Sequence, residues 1–176
     1  MNQDSPELKV LIAREEIAQA VQRIAGEVKK DLLGTNPVVI GILKGSIFFL
    51  ADLIHALEMP LQVELVSLSS YGSSTETSGQ VKMKMGISGS ITGRAVLVVE
   101  DIIDTGITVN YLMKYLRRKN PRLLKLCCLL DKPERRKVAV TVDYVGFTIP
   151  DKFVVGYGMD WDEKYRYLRD IYFIGD

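Results

Sequence analysis

The sequence predicts an α/β fold, a mostly parallel sheet with helices on both faces. Three observations point there. Two apolar runs, residues 38–43 and 96–99, lack polar alternation, as strands buried on both faces require. Each is followed by residues at helical spacing rather than by a tight hairpin turn. Strand-like and helix-like segments then alternate along the chain, the order that builds a parallel sheet.

A first helix is expected over residues 14–33, where Ile17, Val21, Ile24 and Val28 form one stripe. Asn36-Pro37 stops it, and the buried strand 38–43 follows. A second helix is expected over 46–57 and a strand over 62–68. Residues 69–93 turn polar and rich in Gly, Ser and Thr, too long for a routine connection. The strand 95–100 and a helix carrying Tyr111, Leu112, Tyr115 and Leu116 come next, then a strand over 124–130. Short strands are expected at 144–149 and 153–157, separated by Pro150-Asp151. No repeat or linker divides the 176 residues, so one domain spanning 1–176 is expected.

Charge and composition exclude several classes. Lys plus Arg total 23 against 22 Asp plus Glu, so no global field recruits nucleic acid or a membrane surface. The basic runs 117–119 and 135–137 read as solvated faces or helix-end charges. The first residues lack the order of a signal peptide, and no apolar run approaches the ~18 residues of a membrane span. Cys127 and Cys128 are neighbours in a strand and face opposite ways, which argues for free thiols in a reducing cytoplasm. His55 reads as a packing or interface residue, and Trp161, Tyr165 and Tyr167 as packing residues.

Residues 96–108 carry the chemistry. An apolar run delivers Glu100 and Asp101, then Asp104, then the turn Thr105-Gly106-Ile107-Thr108 at a helix start. In open α/β sheets ligands bind beyond the carboxyl ends of strands, where this acidic pair is expected. Unpartnered N–H groups of a first helical turn hold anions, and Gly106 allows close approach. Helix capping by Asp104 or Thr105 is the plainer alternative, but it leaves the acidic pair unexplained. A phosphate bound beside a polyol accounts for the whole stretch.

These thirteen residues closely resemble the signature for 5-phosphoribosyl-1-pyrophosphate (PRPP) in type I phosphoribosyltransferases. The resemblance implies that Glu100 and Asp101 take the ribose hydroxyls and that Asp104, Thr105, Gly106, Ile107 and Thr108 take the 5′-phosphate. Some members have a basic residue where this chain has Ile107. Further segments, in matching order over roughly 38–170, resemble the hypoxanthine-type branch. Leu43-Lys44-Gly45 is similar to its pyrophosphate loop, in which the peptide before the lysine is often cis; without the resemblance Lys44 is an ordinary exposed lysine. The 69–93 stretch, with Ser70 and Tyr71 reaching pyrophosphate, is similar to its flexible catalytic loop, the alternative being a hairpin tip. Lys132 would donate to the O6 carbonyl of a 6-oxopurine, Phe153 would stack on the ring, and the main chain around Val154 and Asp160 would meet the base edge. A solvated lysine and a core phenylalanine are the plain alternatives. Asp160, with Glu100 and Asp101, would help hold Mg²⁺, and Arg166 would reach pyrophosphate.

The implied fold is the type I phosphoribosyltransferase fold, with a small hood from the N-terminal segment and residues 150–176. The implied reaction joins PRPP to hypoxanthine or guanine, giving IMP or GMP and pyrophosphate, with Asp104 as general acid/base at purine N7. A cytoplasmic homo-dimer or homo-tetramer is expected. Two rivals share the signature: a phosphoribosyltransferase for adenine, xanthine or a pyrimidine, and a PRPP-sensing regulator that binds nucleic acid.

Overall fold

The computed structural model describes residues 7–70 and 81–175. Along the chain the elements are β1 (Leu8–Ile12), α1 (Arg14–Leu32), β2 (Val38–Leu43), α2 (Ile47–Leu57), β3 (Gln62–Ser70) and β4 (Val81–Met85). There follow β5 (Ala95–Ile103), α3 (Ile107–Arg117), β6 (Leu123–Asp131), a 3₁₀ turn (Pro133–Arg135), β7 (Tyr144–Thr148), β8 (Val154–Val155) and β9 (Ile171–Ile174).

The central sheet has the order β4-β3-β2-β5-β6-β7. Its pairings are parallel except β3 with β4. Alternation along β5 feeds two cores. Leu97 and Val99 join Val39, Cys127 and Leu129 against α1 and α2, where Ile24, Val28, Phe49 and Leu53 are fully buried. Val96 and Val98 join Ile40, Leu126 and Cys128 against Leu112 and Leu116 of α3. Helices thus cover both faces, which is why β2 and β5 carry no polar residue in their middles. Cys127 and Cys128 fall on opposite faces as free, buried thiols, and burial pushes both pKa values up.

A second sheet, β1-β9-β8, joins the two ends of the chain. β9 pairs antiparallel with both neighbours. Glu16 accepts from Ala13 N–H at 2.9 Å, and Asp170 from Arg14 N–H at 2.8 Å, tying the start of α1 to the C-terminal segment. Tyr157 donates its hydroxyl to Asp52 of α2 at 2.6 Å, anchoring this sheet to the helical layer.

Four expectations need correction. β5 does not stop at residue 100, because Ile102 and Ile103 continue the ladder opposite Leu130 and Asp131. The polar stretch 69–93 is not all loop. β3 runs on through Ser70 and pairs with β4, whose Val-Lys-Met-Lys-Met alternation is a strand pattern. Tyr71 and the rest of 71–80 lie outside the described residues. The strand expected over 153–157 shrinks to Val154–Val155, since Gly156 and Tyr157 turn through positive φ. Trp161 and Tyr167 are exposed rather than packed, Tyr167 by 77%; His55 is exposed, which leaves only the interface half of its expectation.

Leu97 is completely buried at the centre of β5, so its truncation leaves a cavity between sheet and helices. Leu97→Ala is expected to cost about 2–5 kcal/mol. Urea unfolding should show a lower midpoint with an unchanged slope.

Candidate active site

β2 connects through α2 to β3 on one side, whereas its other neighbour, β5, connects through α3 to β6. The chain therefore leaves the carboxyl ends of β2 and β5 in opposite directions, which opens a crevice at the switch point. A cleft of about 300 Å³ lies there. Lys44 and Gly45 from the end of β2 line it, with Asp101, Ile102 and Asp104 from β5. Lys132 after β6 and Phe153, Val154, Met159, Asp160 and Arg166 from the C-terminal segment complete it. A more apolar hollow between α1, α2 and Tyr167 has no comparable convergence of charge.

The loop after β2 is tightly built. The Leu43–Lys44 peptide is cis. Ser46 is fully buried, its hydroxyl donating to Ile42 O at 2.5 Å. A side chain at Gly45 would overlap the Asp101 carboxylate. Gly158, at φ +100, lies against the Gly45 carbonyl and leaves no room for a Cβ. The C-terminal segment therefore packs backbone to backbone on the Lys44 loop.

The acidic pair divides by depth. Glu100 is 8% exposed and does not line the cleft, whereas Asp101 does. Both lie within β5 rather than beyond its end, and adjacent strand residues face opposite ways. Burial, reinforced by the Asp101 charge, raises the Glu100 pKa well above the usual range. α3 opens at Gly106, φ +80, so neither Asp104 nor Thr105 is its N-cap; the Thr105 hydroxyl reaches Ile107 N–H at 3.4 Å. Leu43 and residues 105–108 do not line the cleft itself.

Asp104 Oδ1 is 2.8 Å from Arg135 Nε, a charge contact without hydrogen-bond alignment. Arg135 also binds Asp151 at 3.1 Å. Arg136 donates to the Asp104 carbonyl at 3.1 Å and pairs with Asp131. Within the basic run 135–137, Arg135 is exposed at the end of the 3₁₀ turn, as a helix-end charge, whereas Arg136 is largely buried. Together they clamp the strand end that holds Asp104, and the acidic ends of β5 and β6 were the signal for it.

Lys132 is only 6% exposed, so it is not the solvated lysine of the plain reading. Its ammonium donates to the Lys152 carbonyl and lies 3.9 Å from Asp151. Burial draws its pKa down, opposed by Asp104 and Asp151. Phe153 is 53% exposed at the cleft wall, which removes the core reading, while Val154 is buried. Arg166 lies 2.8 Å from Asp160, 3.1 Å from Glu163 and 2.7 Å from the Gly158 carbonyl; among the described residues its buried Nε has no hydrogen-bond partner. Glu163 also pairs with Lys44 at 2.8 Å, and the two cations hold its pKa down. Sequence reasoning passed over Glu163, which carries no motif of its own.

A twisted parallel sheet with a carboxylate-and-cation cleft at its switch point defines an α/β protein built for a phosphorylated ligand. The phosphoribosyl transferase domain model matches residues 10–162, and the chain belongs to that family. It is 44% identical over 170 residues to the hypoxanthine-guanine phosphoribosyltransferase of Aquifex aeolicus, with 96% of each chain covered. The crystal structure of a hypoxanthine-guanine phosphoribosyltransferase from Bacillus anthracis superposes with a TM-score of 0.91 at 48% identity, covering 96% of this chain and all of that one. A hypoxanthine phosphoribosyltransferase from Staphylococcus aureus gives a TM-score of 0.92 at 36% identity, covering 99% and 97%.

The Glu100 environment makes a testable statement about pH. Its folded-state pKa is raised above the ordinary 4.5, so its share of stability is present below that value and is lost as pH rises through the raised one. Glu100→Gln stays neutral and escapes that loss. In metal-free buffer near pH 8 the variant should melt higher than the parent, by roughly 2–4 °C for each kcal/mol recovered. Near pH 4 the two melting curves should converge.

Proposed function

We propose that this chain transfers the 5-phosphoribosyl group of PRPP to hypoxanthine and guanine, producing IMP or GMP and pyrophosphate in purine salvage. The relatives named above support that reaction, and the pairing of Asp104 with Lys132 at one cleft wall supports the choice of base. A 6-oxopurine offers an acceptor at O6 beside a nitrogen at N7. The Lys132 ammonium suits the first and the Asp104 carboxylate the second.

In this reading Asp101 and the buried Glu100 address the ribose, and the Thr105-Gly106-Ile107-Thr108 turn receives the 5′-phosphate at the start of α3. Lys44, the Leu43–Gly45 backbone and Arg166 face pyrophosphate, with Ser70 and Tyr71 as further contacts. Phe153 stacks on the purine and the Val154 main chain meets its edge. As purine N9 bonds to C1′, the C1′–oxygen bond to pyrophosphate breaks and the N7 proton passes to Asp104. The cations Lys44 and Arg166 meet the negative charge growing on the departing group.

Asp101 of β5 and Asp160 of the C-terminal segment both line the cleft. Among the described residues no three Asp, Glu, His or Cys gather as a metal cage. Such a sparse oxygen set fits Mg²⁺ held by one or two carboxylates together with substrate phosphates. Of the three carboxylates expected to hold it, Asp101 and Asp160 line the cleft and would do so, while Glu100 lies too deep to line it; when bound the ion would neutralise charge on pyrophosphate. We place the chain in the cytoplasm as a homo-dimer or homo-tetramer. Exposed Ile47, Phe48, Val63, Leu65 and Met85 offer apolar surface for such contacts.

A competition assay with hypoxanthine, guanine, adenine and uracil at saturating PRPP and Mg²⁺ tests the base assignment. Hypoxanthine and guanine should be consumed; preferential use of adenine or uracil would overturn the reading. Asp104→Asn should lower kcat roughly 10²–10⁴-fold while the Kd for PRPP changes little. Undiminished turnover in that variant would remove Asp104 from the proton transfer.

A further inference from the structure

Lys44 and Arg166, the cations assigned above to pyrophosphate, are already occupied by a carboxylate of this chain. Lys44 Nζ lies 2.8 Å from Glu163 Oε1, and Arg166 Nη2 lies 3.1 Å from Glu163 Oε2. Each carboxylate oxygen takes one cation, as two oxygens of a bridging diphosphate would. The partners come from distant parts of the chain: Lys44 follows β2, whereas Glu163 belongs to the C-terminal segment.

The mounting of Glu163 is specific. Asp162 and Glu163 both have positive φ, 53° and 59°, and Glu163 N–H donates to Asp160 Oδ2 at 2.8 Å. Asp160 in turn contacts Arg166 at 2.8 Å through its other oxygen. The Glu163 backbone is thus fixed by the same aspartate that holds Arg166. Glu163 itself sits outside the cleft lining and meets the cleft only through Lys44 and Arg166, both of which line it, whereas the adjacent Asp162–Lys164 pair, 3.6 Å apart, touches neither. The Lys44 and Glu163 side chains are 66% and 64% exposed, so water screens their pair and little energy resists its opening.

We propose that Glu163 is a place-holding anion. It keeps Lys44 and Arg166 together in the empty cleft, yields both to the diphosphate end of the sugar donor, and takes them back as pyrophosphate leaves. This rests on the reading that these two cations face pyrophosphate. Two cations converging on an empty cleft repel each other, and an internal carboxylate removes that repulsion without blocking entry permanently. The contact also lowers apparent affinity for pyrophosphate, because the ligand must first displace it, and so favours product release.

The test is calorimetric titration of magnesium pyrophosphate into the free protein, parent against Glu163→Gln and Glu163→Ala. Both variants remove the internal anion at an exposed side chain. Pyrophosphate should bind about three- to tenfold tighter to each, and should inhibit the forward reaction at correspondingly lower concentration. Unchanged or weaker binding in both variants overturns the proposal and makes Glu163 a residue that merely positions the cations. Lys44→Gln and Arg166→Gln are titrated alongside and should each weaken binding. If they do not, the pyrophosphate assignment itself falls, whereas failure confined to the Glu163 variants removes only the place-holder.

Discussion

Parallel pairing of β2 with β5, from Val38–Val96 through Gly41–Val99, governs what stands above it. Through it two strands that leave the sheet on opposite faces end side by side. Phe49 and Leu53 of α2 pack on one face, and Leu112 and Leu116 of α3 on the other. Both helix starts therefore open over the same crevice, with Lys44 at one lip and Asp104 at the other. Gly41 belongs to this constraint, since a side chain there would press into the Leu50 side chain of α2 and force it to move. The site follows from strand order before any polar residue is considered.

Onto that crevice the chain brings charges that would be unstable alone. Three of the cations are met by a carboxylate from another segment, Lys44 by Glu163, Lys132 by Asp151 and Arg135 by Asp104 and Asp151, while Arg166 is met by Asp160 and Glu163 of its own. Most of these pairs are half exposed, and exposed pairs contribute little to stability. Their effect is geometric, holding long side chains in place across a cleft whose ligand is itself an anion. Glu100 is the opposite case, a buried carboxyl beside Asp101 whose ionisation the fold resists. Such an arrangement costs stability and persists in structures where the strained group has a task.

Much of this architecture was legible in the sequence, and the reasons differ by element. The unalternating runs of β2 and β5 announced a doubly covered sheet, because only burial on both faces removes polar residues from a strand. The stripe from Ile17 to Val28 placed α1 almost to the residue. β1 and β9 were not legible, because their pairing joins residues more than 150 apart and neither carries alternation of its own. β4 was readable in principle but was hidden by its polar surroundings. At the site, motif-bearing residues such as Asp101, Asp104, Lys132 and Arg166 meet in one cleft, while Glu100 and residues 105–108 do not line it. Arg135, Arg136 and Glu163 escaped because each acts through a partner contributed by another segment.

The sheet register also bears on which base the cleft takes. Ile103 of β5 is paired with Asp131 of β6, and Lys132 N–H donates to the Ile103 carbonyl at 3.0 Å. Asp104 and Lys132 are therefore the next residues on two adjacent strands, separated by little more than one strand spacing of about 4.8 Å. In the proposed role they read neighbouring atoms of one heterocycle, the carboxylate at N7 and the ammonium at O6. Their relative position is set by backbone pairing rather than by flexible side chains. Arg136 reinforces it by holding Asp131 and the Asp104 carbonyl together. A base with an amino group at position 6 would present a donor to the Lys132 ammonium, which could then donate to the Lys152 carbonyl but not to the base. Discrimination of that kind is large where a buried donor loses its partner. In the proposed role, preference for a 6-oxopurine draws on how β5 and β6 are aligned.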